Sequence, residues 1–129
     1  RIFRVNWFRK DEDGQFIWPG FGENMRILEW VVKRCNGCGS AVESPLGWIP
    51  DYDAFCWDGL DFETQAFYSI MNVDRETARH ETSEQEELFT KFGDHLPREL
   101  EIERELQLAR LHHSPAVWDV SVTGKPGDT

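Results

Sequence analysis

The chain has 129 residues, a net charge of −10 at pH 7 and three cysteines. That length can bury about two-thirds of the unfolded surface, so a hydrophobic core is expected, while the acidic balance disfavours nucleic acid as a general partner. No apolar run reaches the ~20 residues of a membrane helix, and Cys35, Cys38 and Cys56 cannot make a closed disulfide set, which suits a reducing, cytoplasmic setting.

Arg1 opens directly into a strand-like pattern, as expected of a piece of a longer protein. Residues 6–24, NWFRKDEDGQFIWPGFGEN, gather Trp7, Phe8, Phe16, Trp18 and Phe21 around a charged turn, Asp11-Glu12-Asp13-Gly14. Gly14 can take φ > 0 and close a hairpin, which predicts two extended arms, 2–8 and 15–18. Trp18-Pro19-Gly20-Phe21-Gly22 cannot be regular structure: Pro19 has no N–H and biases Trp18 to extended geometry, and glycines flank Phe21. A phenylalanine on so small-sided a turn, just before a helix start, can offer its ring face to a flat ligand. Rings in a hairpin serve equally as core, and Asn24 serves equally as the N-cap of the next helix.

Ile27, Leu28, Val31 and Val32 recur at helical spacing and predict a helix over 24–34, with Lys33 and Arg34 in its last turn and Gly37 and Gly39 ending it. Its N-terminus faces the Phe21 turn, where free N–H groups favour a negative or carbonyl-bearing ligand edge. Cys35-Asn36-Gly37-Cys38 has CxxC spacing. Zinc would need a second pair, and a redox site wants a strand before the motif and a helix after it, so the cysteines read as incidental. Pro45, Gly47, Pro50 and Gly59 make 40–60 loop-rich. Asp51, Asp53 and Asp58 do not form a calcium loop, because Phe55 and Cys56 occupy the positions that need an oxygen ligand and a glycine. Trp48, Phe55 and Trp57 are expected to pin this loop to the core.

Three helices should follow: 61–71, with Phe62, Ala66, Phe67 and Ile70 on one side; 75–95, with Leu88, Phe89, Phe92 and Leu96 inward; and one started by Pro97 and running to about 112, with Ile102, Leu106 and Ala109 inward. Glutamates at the start of the last helix and Arg110, His112 and His113 at its end suit the helix dipole. The four histidines lack metal-ligand spacing, and His112 and His113 should point to different helix faces, so no metal site is expected. Thr123-Gly124-Lys125 lacks the upstream glycine of a phosphate loop and runs into Pro126, so 114–129 reads as a flexible tail. Residues 1–34 carry seven basic and five acidic groups, and the remainder seven and nineteen. A polyphosphate would be tolerated beside the aromatics, and the acidic remainder is a solvated helix face. The fold class is α+β: a short N-terminal β-hairpin followed mainly by α-helices over 1–113.

The run NWFRK…GxFIWPGFGENMRILEW resembles the nucleotide-base segment of GTP-dependent phosphoenolpyruvate carboxykinase. PLGWIP and the acidic stretch through LPRELEIEREL resemble that family's carboxy-terminal region, so the likeness covers about residues 1–111. WPGFGEN is its specific part. The resemblance implies a guanine pocket made by three phenylalanines and an asparagine, matched here by Phe8, Phe16, Phe21 and Asn24. It further implies an α/β parent enzyme of gluconeogenesis, cytoplasmic and monomeric. That enzyme converts oxaloacetate and GTP to phosphoenolpyruvate, CO2 and GDP, with manganese at the active site and magnesium on the nucleotide. The family's phosphate loop, metal ligands, oxaloacetate-binding arginines and lid find no match in these residues, so the chain should frame the base and not catalyse alone. The chemistry agrees. Stacking is worth about 1–3 kcal/mol per base but hardly separates guanine from adenine, so specificity must come from edges, and an asparagine amide offers both an acceptor and a donor. The reading from a different class is a non-enzymatic interaction module that grips a peptide or partner helix with its aromatic hairpin and ignores nucleotides.

Overall fold

The computed structural model describes residues 2–123. Its helices are α1 (Asn24–Cys35), α2 (Thr64–Met71), α3 (Arg75–Phe92), α4 (Arg98–His113) and the one-turn α5 (Val120–Thr123). Strands β1 (Val42–Ser44) and β2 (Gly47–Ile49) form one small sheet, and β3 (Val73–Asp74) and β4 (Val117–Trp118) another. The fold is therefore α+β. It separates into two compact units: Glu43–Trp48 with Asn72–Asp119 forms one, and the rest of the described chain the other.

The first unit has an aromatic core of Trp18, Trp30, Phe55, Phe62 and Phe67. α1 ends in a Schellman motif: Gly37, at φ 78°, and Cys38 donate N–H to the carbonyls of Arg34 and Lys33 at 3.2 and 3.0 Å. Its buried face is Ile27, Trp30 and Val31, while Leu28 and Val32 are exposed. Trp30 decides this, because its indole N–H reaches the Ser40 carbonyl at 2.8 Å and its ring must go inward. In the following loop, Tyr52 stacks on Trp57 at 4.9 Å and donates its hydroxyl to the Phe62 carbonyl at 2.8 Å. Phe55 and Trp57 do hold this loop to the core, but Trp48 is exposed on β2. The β1–β2 hairpin lies in a stretch that reads as loop. Its turn is closed by Ser44, whose hydroxyl donates to the Gly47 carbonyl at 2.7 Å and accepts from the Leu46 N–H.

In the second unit, Asp74 caps α3 by accepting the Thr77 N–H at 2.7 Å. The inward stripe of α3 is Ala78, Thr82, Gln85 and Phe89, with Leu88 and Phe92 half exposed. α4 turns Arg104, Gln107, Leu108 and Leu111 inward, and Ile102, Leu106 and Ala109 outward. The reason is polar: Arg104 Nε donates to the Thr82 carbonyl at 3.2 Å, and Gln107 Nε2 to the Thr82 hydroxyl at 3.1 Å. These bonds set the rotation of α4 against its apolar pattern. His112 and His113 do not diverge, since their rings stand edge to face at 5.1 Å. The expected tail is structured over its described part. Trp118 pairs with Val73 and Val117 with Asp74, and Trp118 and Val120 are buried. Residues 124–126, including Gly124 and Lys125, lie outside the described residues.

Candidate functional site

The turn after residue 9 is organised by Asp11. Its carbonyl accepts the Gly14 N–H at 3.1 Å, its carboxylate accepts the Gln15 N–H at 2.8 Å, and its own N–H donates to the Gln15 carbonyl at 2.9 Å. Gly14 takes φ 78°, as its place in the turn requires. One bridge, Lys10 to Phe16, and the Ile17 N–H to Arg9 carbonyl bond at 3.0 Å close the loop. The expected hairpin is thus a bridged turn, and 2–8 forms no ladder among the described residues. Arg9 anchors the turn by donating to the Ile70 carbonyl at 2.9 Å, and burial lowers its pKa without discharging it.

This closure brings Phe8 and Phe16 together, edge to face at 5.9 Å, with 70% and 57% of their surfaces exposed. Lys10 Nζ stands over the Phe16 ring at 5.2 Å. A ligand ring stacking on that face of Phe16 would have to displace the ammonium group.

Two residues later the chain dives into the core. Trp18 packs against Trp7 and Phe62 at centroid distances of 6.1 and 5.7 Å. Gly20, at φ 122°, then redirects the chain into a 3-10 turn, Phe21–Glu23, that runs straight into α1. Phe21 is 92% exposed, with no ring partner among the described residues. The N–H groups of Phe21 and Gly22 make no hydrogen bond there either, whereas those of Glu23 and Asn24 donate to the Gly20 and Phe21 carbonyls.

Asn24 is the first residue of α1 and not its N-cap; Glu23 holds that position, without a side-chain capping bond to the helix backbone. Asn24 Oδ1 accepts the indole N–H of Trp18 at 2.8 Å. An indole N–H can only donate, so the bonded atom must be the amide oxygen and the orientation of the amide is fixed. Its NH2 has no partner among the described residues, and Oδ1 keeps a second lone pair. Neighbouring Arg26 braces the turn. It pairs with Glu23 Oε2 at 2.6 Å and donates to the carbonyls of Cys56 and of Asp58, the latter at 2.9 Å.

Of the four candidate residues, then, Phe8 and Phe16 touch, Asn24 sits six residues beyond a buried indole that holds it, and Phe21 stands alone. Trp18, which bonds Asn24, and Arg26, which braces the turn, are not among the candidate residues to which the sequence points. The available signal was the W-P-G-x-G-x-N spacing, in which a tight turn lets residue 24 fold back on residue 18. A shallow cleft of about 390 Å3 beside the turn is lined by Arg9, Lys10, Asp11, Glu12, Ile17 and Ser69, and mixes both signs of charge. Among the described residues no group of three or more His, Cys, Asp or Glu could hold a metal ion, and no helix is long and apolar enough to cross a membrane.

Residues 1–110 match the family described as the phosphoenolpyruvate carboxykinase C-terminal P-loop domain. The chain belongs to this carboxykinase family. It is similar to phosphoenolpyruvate carboxykinase (GTP) of Treponema pallidum subsp. pallidum, 42% identical over 115 residues that make 88% of the chain and 19% of the relative. Its likeness to the enzyme of the same name from Chlamydia muridarum is 45% over 101 residues, covering 78% of the chain and 17% of the relative. For the Arthrobacter enzyme the figures are 44% over 102 residues, 79% and 17%. The chain therefore spans less than a fifth of the length of these carboxykinases, and its aromatic turn and α1 fall inside the matched region.

Proposed function

We propose that residues 8–24 frame the guanine base of GTP or GDP in a carboxykinase that converts oxaloacetate and GTP to phosphoenolpyruvate, CO2 and GDP. The observation that carries this reading is the Trp18 to Asn24 bond. A buried donor fixes one asparagine amide, so that an unpartnered NH2 and an oxygen lone pair stand beside an exposed ring and two free backbone N–H groups. Guanine presents a carbonyl next to an N–H on one edge, which is the complement of that amide; adenine presents the reverse. Phe8, Phe16 and Phe21 supply stacking faces, and Asn24 with the Phe21-Gly22 amides supplies discrimination.

The placement also suits an α/β parent. Phe8 ends a strand-like segment and Phe21 opens a helix, the kind of crevice at strand ends where such sheets bind ligands. The chain's part of the chemistry is to orient the base and exclude water from it. The divalent cations implied by the family have no ligand set among the described residues. The chain alone is expected to form no GDP from GTP and oxaloacetate, and oxaloacetate-dependent GDP release by it would contradict this.

The test is equilibrium binding of GDP and ADP by the chain, and by a chimera in which it replaces the matching fifth of the Treponema pallidum enzyme. The chimera should prefer GDP. Asn24→Ala should bring the ratio near one, and Phe21→Ala should weaken both nucleotides about 5- to 100-fold, as the loss of one stacking face predicts. Equal affinities in the parent chimera, or an unchanged ratio in Asn24→Ala, would overturn the reading.

A further inference from the structure

Lys10 and Phe16 are partners in the bridge that closes the aromatic turn. Opposed residues of an antiparallel pair share a face, and so do residues two apart along one extended segment, which puts Phe8, Lys10 and Phe16 on the same side of the turn. The contacts agree: Phe8 stands edge to face against Phe16 at 5.9 Å, and Lys10 Nζ lies 5.2 Å from the centre of the Phe16 ring. Asp11 holds the intervening turn through its carbonyl, its carboxylate and its own N–H. The backbone itself therefore delivers the ammonium group to the ring.

Lys10 differs from the other cations of this unit. Arg9 donates to the Ile70 carbonyl, Arg26 pairs with Glu23, Lys33 pairs with Glu29, and Arg34 donates to the Gly39 carbonyl. Lys10 is exposed and pairs with no carboxylate among the described residues; its contact is the Phe16 ring. The neighbouring Asp11 carboxylate is turned to the Gln15 N–H. An ammonium on an exposed ring face is weakly held, by a factor of about 2 to 5 in an equilibrium, whereas a phosphate offers the same group a charge-assisted hydrogen bond. The contact is one that an anion can take apart.

We propose that Lys10 is a specificity residue that makes the Phe16 face selective for phosphorylated purine nucleosides. This rests on the reading that Phe16 stacks on the base. In the empty site the ammonium group covers the ring face and excludes a bare nucleoside from it. A nucleotide removes it by exchange: the base takes the ring, and the phosphate beside the ribose takes the ammonium. The contact that is lost is replaced by a stronger one. An uncharged nucleoside displaces the cation without supplying it a new partner. Because the base edge is read at Asn24, the exchange at Lys10 is blind to which purine is bound.

Binding of GDP, guanosine, ADP and adenosine to the chimera, with Lys10 intact, changed to Ala or changed to Arg, tests this. Lys10→Ala frees the ring face and removes the charge, so guanosine should bind about 2- to 5-fold more tightly while GDP gains nothing. The ratio of GDP to guanosine affinity should then fall at least about 3-fold, and the ratio of ADP to adenosine affinity by the same factor. Lys10→Arg keeps a cation that stacks on a ring and pairs with phosphate, and should hold both ratios within about 2-fold of the parent. In the nucleotide-free chimera the Lys10 ε-methylene protons should carry an upfield ring-current shift that GDP abolishes. Guanosine binding no tighter in Lys10→Ala, unchanged ratios, or ratios in Lys10→Arg as low as those in Lys10→Ala would overturn the proposal. Guanine preference is read separately, from GDP against ADP. Ratios that fall without that preference remove only the base-edge reading, and a preference with unchanged ratios removes only this one.

Discussion

In the first unit Phe67 meets the rings of Tyr52, Phe55, Trp57 and Tyr68 at 5.6 to 6.0 Å, whereas in the second the α3–α4 seam turns on the buried Thr82. Its hydroxyl donates to the Ala78 carbonyl at 2.7 Å and accepts from Gln107. Rings fill space in fixed geometries and leave little freedom to what they hold. The first unit can therefore hold a turn rigid with some of its rings and present others to solvent. The polar seam fixes helix rotation and leaves Leu88, Phe92, Ile102 and Leu106 half exposed. A binding site is expected where the scaffold is rigid, and every candidate site residue lies in the ring-built unit.

The comparison can be broken at its strongest point first. Phe67→Ala should cost about 4 kcal/mol, read from denaturant unfolding, because four neighbouring rings lose their common contact. Leu111→Ala, at the fully buried position of α4, should cost about 3 kcal/mol. If Leu111→Ala proved the costlier of the two, the contrast between a ring-built unit and one held by a polar seam would fail. Thr82→Val deletes the acceptor of Gln107 and should cost about 1.5 kcal/mol, with Thr82→Ser nearly neutral; equal losses would mean that the methyl group matters as much as the hydroxyl. Trp18→Phe keeps most of the ring and removes the N–H that holds Asn24. It should cost about 1 kcal/mol and reduce discrimination between GDP and ADP, and full retention of discrimination would deny Trp18 its positioning role.

The smallest effect is a pH dependence in the second unit. The Thr77 backbone N–H holds the Asp74 carboxyl below its ordinary pKa. A lowered carboxylate pKa stabilises the fold above its unfolded value, and that contribution is lost as pH falls through the lowered native value. Asp74→Asn caps without titrating. Helical signal followed from pH 6 to 2 should therefore show a weaker acid dependence in Asp74→Asn, at similar stability near neutrality. An unchanged acid limb would remove Asp74 from the account.

Much of the architecture could be read from the residues. The ends of α1 follow from the Gly-Phe-Gly entry and the Gly37 exit, and Pro97 sits at the N-cap where α4 begins. The helix faces were less legible. Apolar spacing cannot see that Arg104 and Gln107 bond to Thr82, or that Trp30 must bury its indole, and either fact rotates a helix. β4 was hidden because a two-residue strand carries no periodicity, and only its pairing with Val73 and Asp74 defines it. For the candidate site, the aromatic and asparagine positions stand out in WPGFGEN. The bond that fixes Asn24 does not, because it joins residues from the two sides of a turn.

The central claim is that a Trp18-held Asn24 reads a guanine edge, and the side-chain NH2 resonances of Asn24 test it most directly. In the chimera, GDP should shift both amide protons and slow their exchange while ADP leaves them nearly unmoved, with the Trp18 indole N–H resonance present throughout. Equal shifts with both nucleotides, or none with GDP although GDP binds, would contradict it.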